Sequence, residues 1–127
     1  MEPIPLFSDP VAAGFTSPAE DNVEKTLDLN DLLITHRAAT FFVRVQGESM
    51  IGAGIFDGDI LIVDRALTPS EGKIVIAVIH NEFTVKRISF KNNHIVLLPE
   101  NPRFPPITTD PAHCTIWGVV THSIKKH

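Results

Sequence analysis

The sequence predicts a mainly β protein: a compact, mostly antiparallel β domain preceded by an extended N-terminal arm. Three observations carry this reading. From residue 40 onward, short runs rich in Val, Ile, Phe and Thr recur, which is strand composition. Turn-forming residues separate them, notably His80-Asn81, Asn92-Asn93 and the Gly52, Gly54, Gly58 cluster with Asp57 and Asp59. Residues 1 to about 27 show no hydrophobic period and carry Pro3, Pro5, Pro10 and Pro18, which break helices and inner strands.

The arm comes first in the chain. At its end, Leu29, Leu32 and Leu33 share one helical face, predicting a short helix over 28–34, capped near Asp28 or Asn30. Strands are then expected at 41–45, 60–64, 74–80, 82–90, 94–98 and 116–124. Asn tolerates the left-handed backbone of tight hairpins, which suits the two short connections. The expected organisation is an arm over 1–39, holding the short helix, and a β-rich domain over 40–127. No internal repeat or low-complexity tract interrupts it.

Bulk properties exclude several function classes. With 127 residues the chain supports one real core. The formal net charge is -4 and no basic run exceeds Lys125-Lys126, so little direct DNA binding is expected. Cys114 is the one cysteine; it forms no internal disulfide, suits a reducing cytosol and reads as a small buried apolar residue. No apolar run approaches a membrane span of ~18 residues, and the acidic, proline-broken start is unlike a secretory signal. A cytoplasmic protein is expected. The six histidines lack close zinc-ligand spacing, so neither metal nor cofactor is expected. Residues 52–58 approach a dinucleotide fingerprint, but Asp57 stands at the third glycine position and no strand–helix context surrounds it. Asp57 and Asp59 read as solvated turn carboxylates, and Pro102, Pro105 and Pro106 as a rigid loop.

Two segments could carry chemistry. In Gly47-Glu48-Ser49-Met50 a strand runs into a turn; in Phe83-Thr84-Val85-Lys86-Arg87-Ile88 a lysine stands mid-strand. A serine hydroxyl needs a base to become a nucleophile, and a buried lysine can be that base once its amine is neutral. Alternation puts Thr84, Lys86, Ile88 and Phe90 on one face and Phe83, Val85 and Arg87 on the other. Neither segment decides alone: a plain turn and a lysine snorkelling over a sheet fit the spacing as well.

The residues also resemble a known family. Pro5-Leu6-Phe7-Ser8-Asp9, Ala13-Gly14-Phe15, Ser17-Pro18-Ala19, Asp28-Leu29-Asn30 and Gly47-Glu48-Ser49-Met50 are followed by the Asp57 to Asp64 run, by Glu82-Phe83-Thr84-Val85-Lys86 and by Gly118-Val119-Val120. In this order they resemble the LexA/UmuD group of self-cleaving serine peptidases. The resemblance implies a β-rich catalytic domain in which Ser49 is the nucleophile and Lys86 the general base. It also implies a cleavage site at Ala13-Gly14 in the arm and a homodimer. A RecA nucleoprotein filament would stimulate cleavage in the SOS response to DNA damage, and the trimmed dimer would serve a UmuC-like Y-family polymerase in translesion synthesis. Backbone N–H groups of Glu48 and Ser49 are candidates for the oxyanion site. Two departures stand out. The stretch before Ala13 is shorter than in the best-known relatives, which touches its docking rather than the dyad. His80-Asn81 replaces a more usual Asp-Gly-like turn, so altered hairpin geometry is expected there.

Three other readings compete. One is a non-enzymatic dimeric binding subunit with an idle dyad. A repressor needs a helix-turn-helix, and the proline-rich residues before the β domain do not supply one. A signal peptidase shares Ser–Lys chemistry but needs a membrane anchor.

Overall fold

The structure is a computed structural model and describes residues 4–15 and 23–127. Ser17, Pro18 and Ala19 of the family motif therefore lie outside the described residues. The chain divides into two compact units, Met1–Thr35 and His36–His127.

In the first unit, β1 (Ile4–Phe7) pairs antiparallel with β2 (Val23–Leu27). The arm was expected to be extended, and in β1 and β2 it is; their pairing into a ribbon is what the sequence did not show. Pro5 stands within β1 opposite Thr26. In a two-stranded ribbon each strand has one side without ladder bonds, and proline is tolerated at such edges. The short helix forms as α1 (Leu29–Leu33), with the Asp28 carboxylate accepting the Asn30 N–H at 2.9 Å. That is the N-cap contact expected of an aspartate there.

The second unit is built on one sheet of seven strands in the order β3-β4-β9-β5-β6-β7-β8. They are β3 (Thr40–Arg44), β4 (Ile60–Asp64), β5 (Ile74–Ile79), β6 (Glu82–Lys91), β7 (His94–Leu98), β8 (Ile107–Thr109) and β9 (Cys114–Ile124). Every strand pair among the described residues is antiparallel. Six of these strands match the expected runs within a few residues. The exception is β8: it has three residues, too few to show a period, and Pro105-Pro106 precede it. It pairs with β7 through Leu97 and Ile107.

Both sheet faces are covered. Val75 and Ala77 of β5 belong to one buried cluster with Ile88, Leu97 and Val119, while Ile76 belongs to a second with Val45, Met50, Ile55, Leu61 and Val63. Alternate residues of one strand thus enter two cores. Gly118 leaves room for the side chains of the neighbouring β4 end: a Cβ there would stand 2.5 Å from Val63 Cγ1. Cys114 is buried in the first cluster, and burial raises its thiol pKa, which suits an inert packing residue.

Two turn expectations need correction. His80, Asn81, Asn92 and Asn93 all have positive φ, between 50° and 64°. The His80-Asn81 hairpin therefore repeats the geometry of Asn92-Asn93, because histidine, like asparagine, tolerates the left-handed region better than most residues. Asp59 is not solvated: it is 5% exposed and accepts from Lys125 Nζ at 2.5 Å and from the Phe56 N–H at 2.8 Å. The Lys125 contact is the main cause holding its carboxyl below the usual carboxylate range.

Candidate active site

The loop leaving β3 is built to hold Ser49 at a fixed place. The Val45 N–H donates to the Asp59 carbonyl at 2.8 Å, and the Gly58 N–H returns a bond to the Val45 carbonyl at 2.9 Å. Gly47 then takes φ +94°, a conformation that side chains other than glycine's rarely allow. Its N–H donates to Asp57 Oδ1 at 2.7 Å. One residue beyond the serine, Met50 is 1% exposed and buried in the second core. Glycine for the turn and methionine for the anchor thus explain why this Gly-x-Ser-Met is more than a plain turn.

A third element reaches the loop from beyond β7. The Glu100 N–H donates to the Ser49 carbonyl at 2.8 Å, and the Gly52 N–H donates to the Glu100 carbonyl at 2.7 Å. Arg87 Nε holds the Glu100 side chain at 2.6 Å. The fit at Gly52 is tight, since a Cβ there would stand 2.6 Å from the Glu100 carbonyl oxygen. Backbone cannot yield as a flexible side chain would. Gly52→Ala is therefore expected to lower unfolding free energy by about 1–3 kcal/mol and to loosen the Ser49 loop. Urea denaturation measures the first effect; a midpoint equal to the parent's would show that the loop has room to spare.

Lys86 stands in the middle of β6, opposite Val75 of β5. It is 8% exposed. Its Nζ donates to Thr84 Oγ1 at 2.8 Å, to Ser49 Oγ at 2.9 Å and to the Val85 carbonyl at 3.1 Å. Burial pulls its ammonium below the ordinary lysine range. Both side chains line one cleft of about 470 Å³, walled by Val43, Val45, Leu61, Ile76 and Val85. Glu48 lines the same cleft.

The residues that share the Lys86 strand face differ in burial. Ile88 lies in the core, but Phe90 is 48% exposed. Phe90 is four residues from Lys86, about 13 Å along a strand, and stands beside the turn into β7. The cleft wall, rather than Phe90, desolvates the amine. Thr84 and Glu100 were missed as site residues. Thr84 could have been found from its place two residues before Lys86 on the same strand face, whereas nothing local marks Glu100.

Ala13 and Gly14 lie in the first unit and are exposed, flanked by Val11 at 95% and Phe15 at 93% exposure. Such a segment is unpacked and open to a protease. Among the described residues no group of three or more His, Cys, Asp or Glu could hold a metal ion.

A hydroxyl beside a desolvated amine in a cleft is an arrangement that can carry serine peptidase chemistry. The model of one protein family, Peptidase S24-like, matches residues 5–121. The chain belongs to the S24-like peptidases. This is the LexA/UmuD group of self-cleaving serine peptidases that the ordered motifs resemble. Protein MucA of Salmonella typhimurium is 47% identical over 126 residues, covering 98% of this chain and 86% of that one. Protein SamA of the same species is 50% identical over 122 residues, covering 96% and 85%. The LexA repressor of Clostridium kluyveri is 41% identical over 118 residues, covering 93% of this chain and 57% of the repressor. The S24-like match takes in the arm as well as the sheet, so the Ala13–Gly14 segment and the cleft fall within one family pattern. No helix among the described residues is long and apolar enough to cross a membrane.

Proposed function

We propose that this S24-like peptidase cuts its own Ala13–Gly14 bond, with Ser49 as nucleophile and Lys86 as general base. The observation that carries the reading is the 2.9 Å contact between Ser49 Oγ and the buried Lys86 Nζ. An ammonium has three N–H donors, and here each has an acceptor. A neutral amine has two N–H groups and one lone pair. It keeps Thr84 Oγ1 and the Val85 carbonyl as acceptors and turns the lone pair to the Ser49 hydroxyl.

The reaction is acyl transfer. Lys86 takes the Ser49 proton as Oγ bonds to the Ala13 carbonyl carbon. The carbonyl oxygen becomes an oxyanion, held by backbone N–H groups at Glu48 and Ser49. The tetrahedral intermediate collapses, the C–N bond breaks, and Lys86 returns the proton to the Gly14 amine. Water then attacks the ester carbonyl, giving one proton to Lys86; the bond to Ser49 Oγ breaks as Lys86 returns that proton to the serine oxygen, and the Ala13 carboxylic acid leaves as a carboxylate, losing its remaining proton to solvent. Small Ala13 and Gly14 let the backbone come close to Oγ.

By its family relations the cut is a switch in the SOS response in the cytoplasm, stimulated by a RecA–DNA filament. The trimmed homodimer would then serve a UmuC-like Y-family polymerase in translesion synthesis. The acidic balance of the chain suits a subunit that reaches DNA through such partners.

The test is direct. The full chain is incubated with activated RecA filaments and the products are weighed and sequenced. A fragment of residues 14–127 beginning Gly14-Phe15-Thr16 is expected. The released piece carries Glu2 and Asp9 and no Lys or Arg, so the product loses two formal negative charges. A product with another first residue would overturn the assigned bond, and an intact chain would favour a binding subunit with an idle dyad.

A further inference from the structure

Asn101 is polar and only 6% exposed, and it does not line the cleft. Its side chain makes two hydrogen bonds. Nδ2 donates to the Glu48 carbonyl at 2.9 Å, across 53 residues of sequence. Oδ1 accepts the Arg103 N–H at 3.1 Å, a local turn contact. The first contact has a consequence for the next amide. The Glu48 carbonyl and the Ser49 N–H belong to one peptide group, and no peptide bond among the described residues is cis. In a planar trans peptide the C=O and N–H point in opposite directions. Holding the carbonyl toward Asn101 therefore turns the Ser49 N–H away from Asn101, and Glu48 and Ser49 both line the cleft.

The neighbouring peptide is fixed from the same direction, since the Ser49 carbonyl accepts the Glu100 N–H. Glu100 and Asn101 thus grip two successive carbonyls of the nucleophile loop. Among the described residues the Ser49 N–H has no acceptor of its own, so its direction depends on that grip.

We infer that Asn101 is a positioning residue that aims the Ser49 N–H at the developing oxyanion by holding the Glu48 carbonyl from behind. The inference rests on the Ser49–Lys86 reading and adds to it a residue outside the cleft. The Asn101 side chain bonds to Glu48 and Arg103 and to neither dyad side chain. Its effect is on transition-state stabilisation alone, where a donor must already point at the oxyanion before charge develops.

The experiment compares Asn101→Ala and Asn101→Ser with the parent and with Ser49→Ala, each as the full chain. Self-cleavage is followed without RecA from neutral to alkaline pH, and folding is checked by thermal unfolding. Serine keeps a hydroxyl for the Arg103 N–H but is too short for Glu48, and neither replacement adds charge. Both variants are expected to fold and to lose roughly tenfold to a hundredfold of the plateau rate, with the midpoint of the pH profile unmoved. A parent-like rate in both variants overturns the inference. So does recovery in Asn101→Ser alone, which would assign the effect to the Arg103 turn. A midpoint shift would mean that the Ser49–Lys86 pair itself had been disturbed, and an unfolded Asn101→Ser would make the side chain purely structural. Cleavage by Ser49→Ala would instead sink the underlying Ser49 reading, whatever the Asn101 variants do.

Discussion

Ser49→Ala is expected to fold like the parent and to stop self-cleavage, with a rate loss of at least about 10⁴-fold, in line with the loss of a nucleophile in serine peptidases generally. The structural change is small. Lys86 loses one of three acceptors and keeps Thr84 Oγ1 and the Val85 carbonyl. The backbone bonds that hold the loop, from Val45, Gly47 and Glu100, do not involve the hydroxyl. A net hydrogen bond contributes about 1 kcal/mol, so thermal unfolding should move by a few degrees at most. Ser49→Cys keeps a nucleophile and is expected to retain part of the activity. The measurement is intact mass after incubation at alkaline pH and with RecA filaments. Continued cutting by a folded Ser49→Ala chain would place the nucleophile elsewhere.

The second large effect concerns Lys86. An exposed lysine titrates near 10.4 and is almost wholly charged at neutral pH. A charged amine cannot accept the Ser49 proton. Burial lowers the Lys86 pKa, so unassisted cleavage should rise with pH and level off above that lowered pKa, below the ordinary lysine value. Arg44 and Glu48 line the same cleft. Lys86→Arg is expected to be inactive at every accessible pH, because guanidinium does not give up its proton. Lys86→Ala should lose about 10²- to 10⁴-fold, the usual reach of general base catalysis. Arg87→Ala loses the hold on the Glu100 side chain but leaves the Glu100 backbone contacts, so its rate should fall no more than a few-fold. A pH–rate series on the four proteins decides the matter: an active Lys86→Arg would remove Lys86 as the base.

Linkage gives that lysine a second signature. The folded state releases the Lys86 proton at lower pH than the unfolded state does. The unfolded chain therefore binds more protons between the two pKa values, and stability rises with pH across that window. Below the folded pKa, the buried ammonium costs stability. Lys86→Ala should remove this alkaline gain.

Much of the fold was legible because its signals are local. Val, Ile and Phe runs marked six of the seven strands of the sheet, and paired residues such as Asn92-Asn93 marked their turns. The three-residue β8 escaped, since so short a strand has no period and is defined by pairing with β7. The β1–β2 ribbon escaped for a related reason. Its pairing joins Ile4 to Leu27, far apart in the sequence, and Pro5 argued against an inner strand without excluding an edge.

At the site, the sequence by itself determined which groups could react: a serine after a glycine-permitted turn, a lysine in mid-strand, and a small Ala-Gly pair in a proline-rich arm. It also determined that the lysine's strand was apolar enough to be covered. Only the tertiary structure decided that Ser49 and Lys86, 37 residues apart, meet at bonding distance. It decided too that Leu61 and Ile76, rather than Phe90, stand in the wall that desolvates the amine, and that Glu100 and Asn101 grip the loop from behind. Residue type and strand period are properties of neighbours in the chain. Desolvation, hydrogen-bond reach and the direction of an N–H depend on what distant segments bring to the same place, and close packing sets those only once the sheet has closed.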